Sequence, residues 1–171
     1  MSSINWIKDL VKAEQQMEES GVVDISGAFD VEEALTKETL MFMNQLKNGF
    51  VESANAFNEL KSSALGRVKI YGIAQTQADF MLFRNSFKMI FSMKAPGTVS
   101  IRFNFMSTNH IPHPNVLQTA SVTPTSLMDE HLIDARWGAF GELFWTYKNV
   151  PVKEEFIVRH HMTLFIKESA K

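Results

Sequence analysis

Residues 87–105, FKMIFSMKAPGTVSIRFNF, decide the fold of this chain. Before the Pro-Gly pair, Phe87, Met89, Phe91 and Met93 alternate with Lys88, Ile90, Ser92 and Lys94. After it, Val99, Ile101, Phe103 and Phe105 alternate with Ser100, Arg102 and Asn104. A period of two is that of a strand with one buried face, and a short loop with Gly in its last place joins antiparallel strands. Pairing Lys94 with Thr98 across Ala95-Pro96-Gly97 sets Met93 opposite Val99, Phe91 opposite Ile101, Met89 opposite Phe103 and Phe87 opposite Phe105. Every apolar residue then meets another, which is how burial fixes a register.

Toward the C-terminus, residues 107–126 (STNHIPHPNVLQTASVTPTS) are rich in Pro, Thr and Ser and are expected to form a long loop. Ser126 and Asp129 suggest a short helix carrying Leu127, Met128, His131 and Leu132. Arg136–Lys148 and Lys153–Lys167 read as a second hairpin about Asn149-Val150-Pro151-Val152. Pairing Lys148 with Lys153 puts Trp145 opposite Phe156, Leu143 opposite Val158, Gly141 opposite His160, Ala139 opposite Met162 and Trp137 opposite Leu164. The same register sets Glu142 opposite Arg159 on the other face. Toward the N-terminus, residues 67–75 (RVKIYGIAQ) are a strand candidate. Asp79–Arg84 either extends the next strand through a bulge or forms a short separate element.

The first 65 residues read as helix. In residues 3–19, Ile4, Ile7, Leu10, Val11 and Met17 fall near helical spacing, with Ser3 as a cap and Gly21 as the stop. Asp30, with Glu33 three residues on, resembles a capping box. From there Val31, Leu35, Phe42, Leu46, Phe50, Phe57 and Leu60 recur at intervals of three, four or seven, ending at Leu65-Gly66. An unbroken helix of about 35 residues is about 50 Å long, whereas a nine-residue strand covers about 30 Å. Either Asn48-Gly49 bends the helix or its overhang packs on a second copy, a homo-oligomer through residues 30–65. The expected fold is α+β over a single domain, 1–171: two N-terminal helices, the second long, packed on an antiparallel sheet of about five strands, with a short helix between two hairpins.

Composition narrows the function. The 171 residues are 45% hydrophobic and 21% charged, a globular balance. Cys is 0, so there is no disulfide framework, thiolate metal site or cysteine nucleophile. No apolar run reaches the ~18 residues of a membrane span, and the opening MSSINWIKDLVKAEQQ is charged where a signal peptide is apolar. A cytoplasmic protein without a membrane partner is the expectation. The net charge of −2 hides an asymmetry: residues 1–65 hold 11 Asp/Glu against 5 Lys/Arg, a net of −6, and residues 66–171 hold 8 against 12, a net of +4. A basic sheet segment beside an acidic helical segment either complements it within one fold or holds an anionic partner.

The expected hairpin places Gly141 opposite His160 on an apolar face. The missing side chain leaves a space beside an imidazole, a group whose proton affinity its surroundings move readily. Gly141, His160, Trp145 and Met162 are therefore the ligand-binding candidates, with His160 the one candidate acid or base; the plainer reading is a core histidine. His161, its neighbour on a strand, points to the opposite face, so the two do not chelate. Lys88, Lys94, Arg102 and Arg159 share the polar sheet face and are the anion-binding candidates, with Phe140, Phe144 and His161 among them. No RNA-binding motif accompanies them, and the overall charge opposes nucleic acid. His110 and His113 are at a spacing that two metal ligands could use, but a zinc site takes three or four, and the Pro-stiffened loop explains them as well. Phosphate-loop, dinucleotide, zinc-protease and nucleophile-elbow motifs are absent, so no cofactor is expected. Met is unusually frequent at 10 residues, and Met89, Met93 and Met162 on the core face suit either an adaptable apolar cavity or ordinary packing. A non-catalytic binding module, taking a partner protein or a small ligand between sheet and helices, is the leading expectation. A small enzyme using His160 and an anion or nucleic-acid binder are the alternatives.

Overall fold

The computed structural model of the protein describes residues 4–21, 31–105 and 130–170. The elements are α1 (Asn5–Ser20), α2 (Val31–Lys61), β1 (Lys69–Gly72), β2 (Phe80–Arg84), β3 (Phe87–Ala95), β4 (Thr98–Phe105), β5 (Glu130–Trp137), β6 (Leu143–Tyr147), β7 (Val150–Pro151) and α3 (Glu154–Ser169). The strands make one antiparallel sheet in chain order, β1 to β7. The α+β class with an antiparallel sheet is as the sequence implies, but the sheet has seven strands rather than about five. No helix among the described residues is long and apolar enough to cross a membrane. The expected loop 107–126, with His110 and His113, lies outside the described residues, as do Ser3, Asp30 and residues 126–129.

The decisive hairpin keeps its expected register from Phe87↔Phe105 to Met93↔Val99. At its tip the closing pair is Ala95↔Thr98 rather than Lys94 with Thr98, and the register shifts between Met93 and Ala95. The tightening has a tertiary cause. Gly97 (φ +84) donates its N–H to Thr39 Oγ1 at 2.8 Å, and a Cβ there would lie 3.0 Å from Leu35, so the turn is drawn onto α2. Asp79–Arg84, open between two readings, is a separate strand. Asn85 and Ser86 (φ 50 and 66) form the two-residue turn into β3, the kind that matches strand twist.

The second hairpin is not formed as expected. Arg136–Lys148 folds back on itself, β5 against β6, with Trp137↔Leu143 as the last pair. The bend is held by Gly141 (φ +83) and by Glu142, whose carboxylate accepts the Phe140 N–H at 3.0 Å. The region 126–132 contributes no short helix among the described residues, because Glu130–Trp137 is β5. Lys153–Lys167 is not a strand: after the two-residue β7, residues Glu154–Ser169 are helical. The pairings of Trp145 with Phe156, Gly141 with His160 and Glu142 with Arg159 therefore do not exist. Phe156, Val158, His160, Met162 and Leu164 fit a strand's period, yet Ile157, Val158, His161, Phe165 and Ser169 fit a helix's, and these are the buried ones. Glu154 and Glu155 in the first turn and Lys167 in the last also complement a helix dipole.

The chain divides between Ala34 and Leu35 into two compact units. In the first, α1 ends at a left-handed Gly21 (φ 66), whose N–H bonds Met17 O at 2.9 Å, and buries no residue. In the second, α2 and the C-terminal α3 are the helices laid on the sheet. The buried face of α2 is Thr39, Phe42, Met43, Leu46, Phe50, Ala54 and Asn58, one stripe at helical spacing. Phe50 packs on Phe80 and Phe91, and Phe165 of α3 packs on Phe87, so both helices cover the same sheet face. α2 runs unbroken through Asn48-Gly49 for 31 residues, about 46 Å. Gly49 is a contact rather than a bend: a Cβ there would stand 2.9 Å from Val158 of α3.

Two buried polar residues tie the ends. Asn58 bonds both backbone groups of Val68, at 2.9 and 2.8 Å, in the manner of a strand partner. Arg84 donates to Gly66 O at 2.7 Å, to Ile166 O at 3.2 Å and to Ser169 Oγ at 3.0 Å. The Ile166 carbonyl, in the last turn of α3, thereby finds a partner that the helix itself does not supply.

Candidate functional site

Where α3 crosses β5 and β6, a cavity of about 370 Å³ is lined by His131, Ile133, Tyr147, Val152, Phe156, Ile157, His160 and His161. Each position follows from local structure. His131 and Ile133 are two apart on β5, so both face the helices; the pairings Ile101↔His131 and Ile133↔Tyr147 continue the buried face across β4, β5 and β6. On α3, Ile157 and His161 are four apart and stack on one stripe. His160 and Phe156, also four apart, form the outer edge and are exposed. Two other grooves, one between α2 and α3 at Gly49 and Val158, the other beside Asn58 and Arg67, are more open. The histidine cavity is less open than these two and mainly apolar, the type that holds small molecules.

The proton positions in the cavity wall follow from its hydrogen bonds. His161 Nδ1 is 2.8 Å from Ile157 O. A carbonyl only accepts, so Nδ1 carries the hydrogen, and Nε2 of the neutral ring is an acceptor. His131 Nδ1 lies 3.0 Å from that Nε2, so His131 donates. The two rings are thus locked in one order, His131 to His161 to the α3 backbone. Burial pushes His161 down to about 4, against the pull of its bond to Ile157 O and with help from the nearby charges of His131 and His160. Its ring is 5% exposed, stacked on Phe103 and edge-on to Phe91. It is neutral at neutral pH. His131 is flanked by Phe103 and Tyr147, and Lys148 Nζ stands 5.3 Å over the Tyr147 ring.

The expected site residues are scattered. His160 lines the cavity. Gly141 is exposed in the β5–β6 turn with nothing within 4 Å of an added Cβ, so the expected space beside His160 is not there. Trp145 stacks on Phe42 of α2, centroids 4.1 Å apart, within the core. Met162 lines the α2–α3 groove. Lys88 and Arg102 lie on the sheet face turned from the helices. Lys94, displaced by the bulge, pairs with Glu130 at 3.4 Å, and Glu130 also accepts from Ser100 Oγ at 2.5 Å. These two hydrogen bonds hold the Glu130 carboxyl below its ordinary range, Ser100 contributing most. Arg159 is on α3, across the sheet from Lys88 and Arg102, so the four cations do not make one patch. Among the described residues no group of three His, Asp or Glu converges to hold a metal.

Sequence reasoning missed His131, His161, Tyr147 and Phe156. The spacing Ile157–His161–Phe165 carried the signal for His161, since a helical period puts all three on one stripe. Comparison with known proteins finds no matching family, no matching curated protein and no matching solved structure.

Proposed function

We propose that this protein is a non-catalytic binding module that holds a small apolar ligand between β5, β6 and α3. The observation that carries the reading is the cavity of about 370 Å³ with its mainly apolar wall. An engineered cavity of about 150 Å³ takes benzene, so this one accommodates a ring with a short chain. The buried part of its polar wall is the His131–His161 pair, bonded ring to ring and to Ile157 O, so an apolar guest need not break that pair. The enzyme reading shares the cavity. However, His160 has no hydrogen-bond partner among the described residues, whereas a general base is oriented by one. Self-association through residues 30–65 has a weaker footing. The apolar residues that α2 leaves exposed, Val31, Met41, Val51 and Leu60, do not share a stripe at about 100° per residue.

The test is calorimetric titration with 3-phenyl-1-propanol. Saturable 1:1 binding is expected in the native protein and not in Val152→Trp, which fills the cavity from the β7–α3 link. An absence of saturable binding, or equal binding to both proteins, overturns the reading.

A further inference from the structure

We propose that the ligand is an apolar acid, its hydrocarbon or aromatic body in the cavity and its carboxylate at the mouth on His160; this rests on the binding reading above. The lining supplies the first argument. Its ionisable groups are His131, His160, His161 and Tyr147, with no carboxylate among them. The one charged side chain seen against the lining among the described residues is Lys148, whose Nζ stands 5.3 Å over the Tyr147 ring. Glu154, Glu155 and Arg159 belong to the α2–α3 groove instead. An ammonium head finds no carboxylate in the lining, whereas a carboxylate finds the N–H of His160.

The second argument is the division of work among the three histidines. His161 has both ring nitrogens engaged, and His131 has its Nδ1 hydrogen committed to His161. Neither rearranges without breaking the pair. His160 stands edge-on to His161, with ring centroids 5.1 Å apart, and is exposed without a hydrogen bond among the described residues. It is the imidazole whose donors a guest can engage at no cost to the fold. Its exposure, with that of Phe156 at 55%, keeps a charged head partly hydrated while the body is desolvated, so the anion avoids the penalty of full burial.

The experiment compares three molecules of one skeleton, 3-phenylpropionate, 3-phenyl-1-propanol and 3-phenylpropylamine, by titration calorimetry on the full chain. In the native protein the acid is expected to bind about tenfold tighter than the alcohol, as one hydrogen bond to a charged group implies, and the amine is expected to bind most weakly. In His160→Leu the advantage of acid over alcohol disappears; circular dichroism confirms that this exposed substitution leaves the fold intact. An acid no tighter than the alcohol, or an advantage that survives in His160→Leu, overturns the inference. Alcohol binding that is lost in Val152→Trp leaves the cavity reading standing in that event. If none of the three binds, both fall.

Discussion

Lowering the pH from 7.5 to 5 is expected to destabilise the protein through one buried side chain, because His161 is held as a neutral acceptor between His131 and the α3 backbone. Folded, the ring resists protonation until about pH 4, against an ordinary value of 6.5. Unfolded, it takes its proton near 6.5. Between those values the unfolded chain binds more protons, so stability is complete above 6.5 and falls as the pH drops toward 4. At 1.36 kcal/mol per pH unit the full loss from this group is about 3 kcal/mol, with about 2 kcal/mol already gone at pH 5. That is a large share of the roughly 5–15 kcal/mol that keeps a domain folded.

Urea unfolding at several pH values between 7.5 and 5, followed by tryptophan fluorescence, measures the effect, with His161→Gln as the reference. The variant begins less stable, since it gives up the ordered pair, but it lacks the titrating ring. Carboxylates contribute to both proteins and cancel in the comparison. The native protein should lose about 2 kcal/mol more than His161→Gln over this range. Parallel slopes, or an imidazole resonance of His161 titrating near 6.5, would refute the reasoning.

The helix crossing and the buried guanidinium give two further expectations. Gly49→Ala puts a Cβ 2.9 Å from a Val158 methyl. Overpacking against a stiff β-branched side chain should outweigh the roughly 1 kcal/mol that Ala gains in a helix, for a net loss of about 1 kcal/mol by urea denaturation. In a Val158→Ala background the sign should reverse, and an unchanged sign would show that the crossing is not tight. Arg84→Met leaves the carbonyls of Gly66 and Ile166 without their donor and should cost about 3 kcal/mol. Hydrogen exchange should quicken first at the end of α3; uniform loosening instead would argue against Arg84 as the tie.

Much of the architecture was legible from the chain because it rests on one-sided burial. The β3–β4 register could be read from Phe87 to Phe105 since a slip of one residue turns a row of Phe, Met and Ile into water. The stripe of α2 could be read for the same reason, and Gly21 could be read as a stop because a left-handed residue there favours glycine. The candidate site was far less legible. A strand period gives His160 a neighbour, Gly141, that it does not have, and turns His161 away from the core, where the helix buries it.

Tertiary structure decided the last sixteen-residue element and, with it, the site. Residues 154–169 carry both periods, and local pattern does not choose between them. The choice lies in what the rest of the molecule leaves uncovered. α2 packs Phe50 on Phe80 and Phe91, and a strand added at β7 would extend the sheet without covering Phe87 and Phe103. As a helix, the same residues place Phe165 on Phe87 and His161 against Phe103, and Arg84 takes up the Ile166 carbonyl of the last turn. The sequence by itself settled the buried faces of the β3–β4 hairpin and of α2; only the assembled sheet decided which of two repeats residues 154–169 would bury, and so which histidine sits inside.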